Sequence, residues 1–139
     1  MKDKSSIYVS IFNRKGGEGL YTKVINENNK KSYEDLFNEL DEKEKALIIY
    51  YKNTLNWLLF TNFNILVCTE GGRFIINLSE IIEVQLALHE EYEDRITDKE
   101  KFTRLKIKTK NKDCFILNVE EGKPYQGLYQ VLHFIVSNR

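Results

Sequence analysis

Between Ala46 and Leu88 the chain runs through five apolar stretches in a row, and the gaps between them are too short to hold a helix. ALIIYYK (46–52), NWLLFT (56–61), NILVCT (64–69) and RFIINL (73–78) are rich in β-branched and aromatic residues. Asn53-Thr54, Asn62-Phe63 and Gly71-Gly72 stand between them as turns, the second pair tight enough to demand a hairpin. SEIIEVQLAL (79–88) then alternates Ile82, Val84, Leu86 and Leu88 against Glu83, Gln85 and Ala87, which predicts a half-buried strand. Parallel neighbours need a crossover of about a dozen residues, usually a helix. No such segment is interleaved here, so the sheet is antiparallel.

The same period returns downstream. Over 103–110, Leu105, Ile107 and Thr109 share one face while Arg104, Lys106, Lys108 and Lys110 share the other. After a tight turn at Asn111-Lys112-Asp113, Phe115, Leu117 and Val119 alternate again. Gly122 and Pro124 close that strand and open a helix over 124–138, with Pro in the first turn and Tyr125, Leu128, Leu132 and Ile135 on one stripe. HEEYEDRITDKEK (89–101) reads as a long acidic surface loop. The expectation is a mainly β, α+β domain: about seven antiparallel strands in a barrel or sandwich, one end plugged by a C-terminal helix.

The first 45 residues read differently. IYVSIF (7–12) and LYTKVI (20–25) flank the glycine-rich NRKGGEG, and a hairpin over 7–25 is the simplest reading. A mobile arm competes with it, because NENNKK (26–31) has no apolar anchor. Ser32 reads as a helix N-cap with Asp35 three residues on, in the position of a capping box. Tyr33, Leu36, Phe37, Leu40 and Leu47 follow at helical spacing, predicting an amphipathic helix over 32–45. Residues 1–45 are thus expected to form an extension packed on a domain at 46–139.

Seven antiparallel strands followed by one capping helix resemble the plan of the pleckstrin-homology-like (PH-like) fold. TLNWLLFTNFNILV (54–67) looks like the bacterial version, in which a tryptophan strand runs through a Thr-Asn turn into an apolar strand. GGRFIINLSEIIEV (71–84) is similar to the next element of that family, and PYQGLYQVLHFIVSNR (124–139) to its closing helix. The likeness covers about 46–139 and implies a binding scaffold rather than an enzyme. Lipid-binding members hold phosphoinositide headgroups among basic residues on three loops. Carried over, those loops offer Lys52, then Arg73, then Lys110 and Lys112 as anion-binding residues. The dense basic run expected after the first strand is missing, since YYKNTLNW holds only Lys52.

Composition narrows the function classes further. Forty-two per cent of 139 residues are hydrophobic, enough for one sizeable core. Twenty-one basic residues balance twenty-one acidic ones, which gives no argument for nucleic acid. No apolar run approaches a bilayer span, and a cytoplasmic protein is expected. Cys68 and Cys114 fall in strand-like runs and read as small hydrophobes; a bridge between them would require neighbouring strands. His89 and His133 sit in no metal-ligand or nucleophile spacing, and the acidic loop lacks the glycine-centred pattern of a calcium hand. Arg14–Gly19 has no Gly-Lys-Ser ending and is not a phosphate loop. No catalytic residue, metal site or cofactor is therefore expected.

The expected function is a non-catalytic interaction module with a protein partner, bound at an open sheet edge or steered by the acidic segments 32–45 and 89–101. Two alternatives stand beside it: an anion or lipid-headgroup binder using the four cations with peripheral membrane contact, and an antitoxin-like immunity protein. An exposed edge would also permit a homodimer.

Overall fold

The computed structural model describes residues 3–138. Eight antiparallel strands form two sheets. The first contains β1 (Thr22–Val24), β2 (Ala46–Asn53), β3 (Asn56–Thr61), β4 (Asn64–Thr69) and β5 (Gly72–Asn77), in that spatial order. The second contains β6 (Ile81–Leu86), β7 (Arg104–Thr109) and β8 (Cys114–Asn118). Among the described residues three α-helices, with short 3₁₀ segments, complete the fold: α1 (Ser5–Lys15), α2 (Leu88–Glu93) and α3 (Lys123–Ser137). The architecture is mixed α+β, as expected, but neither sheet closes on itself, so the barrel alternative is corrected to two open sheets. Among the described residues no helix is long and apolar enough to cross a membrane.

The main core lies between the inner faces of the two sheets and the helices. Ile48, Tyr50, Leu58, Phe60, Ile65, Val67 and Ile76 of the first sheet meet Ile81, Val84, Leu105, Ile107 and Leu117 of the second. Leu128, Val131, Leu132 and Ile135 of α3 and Tyr8, Ile11 and Phe12 of α1 join them. The predicted stripe of α3 is buried, with Pro124 in the first turn.

The predicted hairpin over 7–25 is a correction. Its first arm is α1, and only Thr22–Val24 of its second arm is a strand. Local β-propensity in IYVSIF yields to a long-range contact, because propensity is weak beside packing. A Cβ on Gly127 of α3 would sit 2.7 Å from the Phe12 ring, and one on Gly16 would sit 2.4 Å from the Gly127 nitrogen. The two glycines let α1 and α3 approach backbone to backbone, and Tyr8, Ile11 and Phe12 then share the buried face at helical spacing.

The helix predicted over 32–45 is also corrected. Lys30–Phe37 is a 3₁₀ helix that begins after Asn29, with no side-chain cap at Ser32, and Leu47 belongs to β2. Its apolar residues are nonetheless used. Tyr33, Leu36, Phe37 and Leu40 cover a second cluster, Ile49, Trp57, Leu59, Leu66 and Cys68, on the outer face of the first sheet. Strands β2, β3 and β4 of the first sheet are therefore buried on both faces. The acidic stretch 89–101 is likewise not one loop, since it holds most of α2 and a 3₁₀ turn at Lys99–Lys101.

Three carboxylates pin the connections. Glu91 is fully buried and accepts from the N–H groups of Thr103 (2.8 Å) and Arg104 (3.0 Å) and from Arg104 Nη1 (3.1 Å). Arg104 also reaches Asp94, and its carbonyl accepts from the Tyr125 hydroxyl at 2.7 Å. Glu120 accepts from the N–H groups of Leu20 and Tyr21 and from Thr22 Oγ1, and Glu44 accepts from Thr61 Oγ1 and Asn64 Nδ2.

Burial, then the charge of Glu91, pushes the Tyr125 phenol well above its ordinary value of 10.0. Burial, then Glu120, raises Tyr50 as well. A phenol with a higher pKa folded than unfolded binds its proton more tightly in the native state. Its stabilisation is thus intact below pH 10.0 and is lost as pH rises beyond that value. The urea midpoint is expected to fall above that pH, and Tyr125→Phe to flatten the fall; an unchanged slope in the variant would contradict this role.

Candidate functional site

Hydrogen-bond phase along each strand decides which backbone groups a sheet offers to a partner. In an antiparallel ladder, alternate residues point their N–H and C=O groups toward one neighbour and the rest point away. The outer strands are therefore where binding capacity lies, and the two sheets end in β1, β5, β6 and β8.

One of these edges, β1, is closed by hydrogen bonds from the chain itself, and a second, β6, lies against α3. On β1, the Val24 N–H donates to Glu18 Oε2 at 2.8 Å, the Thr22 carbonyl accepts from the Gly19 N–H at 3.1 Å, and the Val24 carbonyl accepts from Asn29 Nδ2 at 2.9 Å. β6 is packed by α3.

The other two are open. β5 is paired to β4 with Ile65 opposite Ile76 and Val67 opposite Phe74, and just beyond its end the Leu78 N–H donates to the Phe63 carbonyl. That phase directs the N–H and C=O groups of Arg73, Ile75 and Asn77 outward, and among the described residues none of them has a backbone partner. On β8, bonds from the Val119 N–H to the Thr103 carbonyl and from the Thr109 N–H to the Asp113 carbonyl set the phase. Cys114, Ile116 and Asn118 consequently face away from β7.

β5 also carries side-chain features beside its free backbone. Ile75 is 58% exposed on the outer face. Next to it, a notch of about 140 Å³ is lined by Glu39, Leu66, Val67, Arg73, Phe74 and Ile75. Arg73 forms one wall, stacked over the Trp57 ring at 5.1 Å and paired with Glu39 at 3.1 Å. On the inner face Phe74 stacks on Phe115 of β8, ring centres 5.2 Å apart.

The four sequence-predicted cations do not gather at one rim. Lys52 is exposed at the end of β2, beside the turn into β3. Arg73 is the second residue of β5 and is already engaged with Glu39 and Trp57. Lys110 lies past the opposite end of β5, its N–H donating to the Glu80 carbonyl. There it lines a cleft of about 630 Å³ with Asp3, Asp41, Asn62 and Asn77. Strand rise alone puts about 13 Å between Arg73 and the far end of β5. Lys112 occupies the left-handed position (φ 69°) of the β7–β8 turn. A phosphate needs converging donors, and here the cations are scattered, paired or shared with carboxylates.

The residues weighed for chemistry are also apart. Cys68 is buried within the second cluster, Cys114 is exposed on β8, and both thiols are free. His133 is exposed on α3 beside Tyr129, and His89 pairs with Glu93 at 2.7 Å within α2. No cluster of metal-ligating side chains occurs among the described residues. Neither a protein-family model, nor a curated protein, nor a solved structure matches the chain.

Proposed function

We propose that this chain is a PH-like, non-catalytic binding module that takes an extended segment of a partner protein as an added strand on β5. The observation that carries this reading is the row of unpartnered backbone groups at Arg73, Ile75 and Asn77 beside a side-chain notch. Main-chain bonds to such an edge provide affinity, and a pocket for an alternate side chain provides selectivity. The notch has an apolar floor and one charge of each sign on its walls, which suits a medium-sized apolar side chain. The element order supports the PH-like part of the reading, for strands β2 to β8 are followed by a single closing helix.

Linear peptides selected from a random displayed library against the whole chain test this directly. Ile75→Pro removes an N–H that β4 does not use, so the fold is expected to survive, as edge prolines do. Selected peptides are expected to bind the native chain and to lose at least tenfold in affinity for Ile75→Pro and for Ile75→Lys. Peptides that bind all three chains equally, or a selection that yields no binder, would overturn the reading.

A further inference from the structure

The second open edge, β8, fits a second copy of this chain. Outer strands are usually blunted by lysine, proline, a bulge or a covering loop. The sequence of β8, CFILN, has no charge and no proline, and its register with β7 runs without irregularity. Its outward backbone groups, on Cys114, Ile116 and Asn118, have no hydrogen-bond partner among the described residues.

We propose that two copies pair antiparallel through β8 about a two-fold axis at Ile116, merging two three-stranded sheets into one continuous sheet. This register places Ile116 opposite its own counterpart and Cys114 opposite Asn118 of the partner subunit. All three outward residues of each strand then exchange N–H···O=C bonds. Centring the axis one residue to either side leaves Asn118 or Cys114 facing a residue outside β8, so the Ile116 register satisfies the most backbone.

Charge agrees with the same axis. Just beyond the strand ends it brings the β7–β8 turn, which carries Lys112, toward Glu120 of the partner subunit, twice by symmetry. Within the paired span 114–118 no like charges oppose one another, because β8 carries none. The Glu120 carboxylate is held in place by the N–H groups of Leu20 and Tyr21. Those bonds station Leu20, 75% exposed, near the end of β8, where a second copy would cover it. A self-complementary strand of this kind is what an isologous interface requires. The pairing does not rest on the proposal for β5, which belongs to the other sheet.

Sedimentation across a wide concentration range is expected to show a monomer–dimer equilibrium for the native chain. Ile116→Pro removes an outward N–H without touching the β7 ladder, and Ile116→Lys puts two like charges on the axis. Both are expected to sediment as monomers with native circular dichroism. Register is read by cross-linking. Facing hydrogen-bonded residues have Cα atoms about 5.5 Å apart, within disulfide reach. Oxidised Asn118→Cys is therefore expected to run as a covalent dimer, and the added Cys114→Ser change to abolish it. A native chain that is monomeric at every concentration, a dimer that survives both Ile116 changes, or the absence of a cross-link between positions 114 and 118 would each overturn the proposal.

Discussion

Trp57→Ala is expected to lower stability by about 3–5 kcal/mol, the range for truncating a large buried aromatic side chain. Trp57 is only 4% exposed, although it lies on the outer face of its sheet. Its burial comes from residues far away in sequence: Tyr33, Leu36, Phe37 and Leu40 cover its cluster, and the Arg73 guanidinium caps the ring. Truncation would lose the transfer energy of the indole, open a cavity beneath the 3₁₀ segment and forfeit the cation–π contact, worth about 0.5–1 kcal/mol by itself. Urea unfolding followed by circular dichroism measures the sum. A loss under about 1 kcal/mol would mean that the 33–40 segment does not pack on the sheet.

Glu91→Ala is expected to cost a similar amount, about 3–5 kcal/mol, by a different route. The carboxylate is fully buried, and its removal strands two backbone N–H groups and part of the Arg104 guanidinium. Leaving buried donors without acceptors is what makes such a change severe. Glu91→Gln retains an acceptor oxygen and loses the ionic component, so it is expected to fall between the wild type and Glu91→Ala in urea midpoint. Equal stability of all three proteins would show that this junction of α2 with β7 contributes nothing.

The strands from Ala46 onward were legible because their signals are local: turn-sized gaps, β-branched runs, and alternation in β6, β7 and β8. One further signal was present and unread. ALIIYY, WLLF and ILVC do not alternate, and an unbroken apolar run marks a strand covered on both faces. The acidic segment before them supplies that cover. By contrast, α1 was illegible, because its helical state depends on Gly127, more than a hundred residues away. Nor could Glu91 be told from Glu90 or Glu93 in a run of acids, since only the fold decides which one turns inward.

The candidate site was legible only in kind. An open edge was one of two routes the sequence suggested, but which edge is open depends on what pairs with what and on the phase of each ladder, and neither is written in the strand itself. β1 and β5 are both outer strands of one sheet, yet Glu18, Gly19 and Asn29 close the first and nothing among the described residues closes the second. The four basic residues do not converge, for the same reason. Lys52, Arg73, Lys110 and Lys112 occupy turn positions in sequence, but Lys52 and Arg73 stand three strands apart at one end of the first sheet while Lys110 and Lys112 belong to the β7–β8 turn of the second.

Residue-resolved amide hydrogen exchange, with and without a selected peptide, tests the open β5 edge most directly. In the free chain the Arg73, Ile75 and Asn77 amides should exchange quickly while those of Phe74 and Ile76, bonded to β4, exchange slowly. Bound peptide should slow the first three. Protection of those amides in the free chain, or a bound peptide that leaves them unprotected, would contradict strand addition at β5.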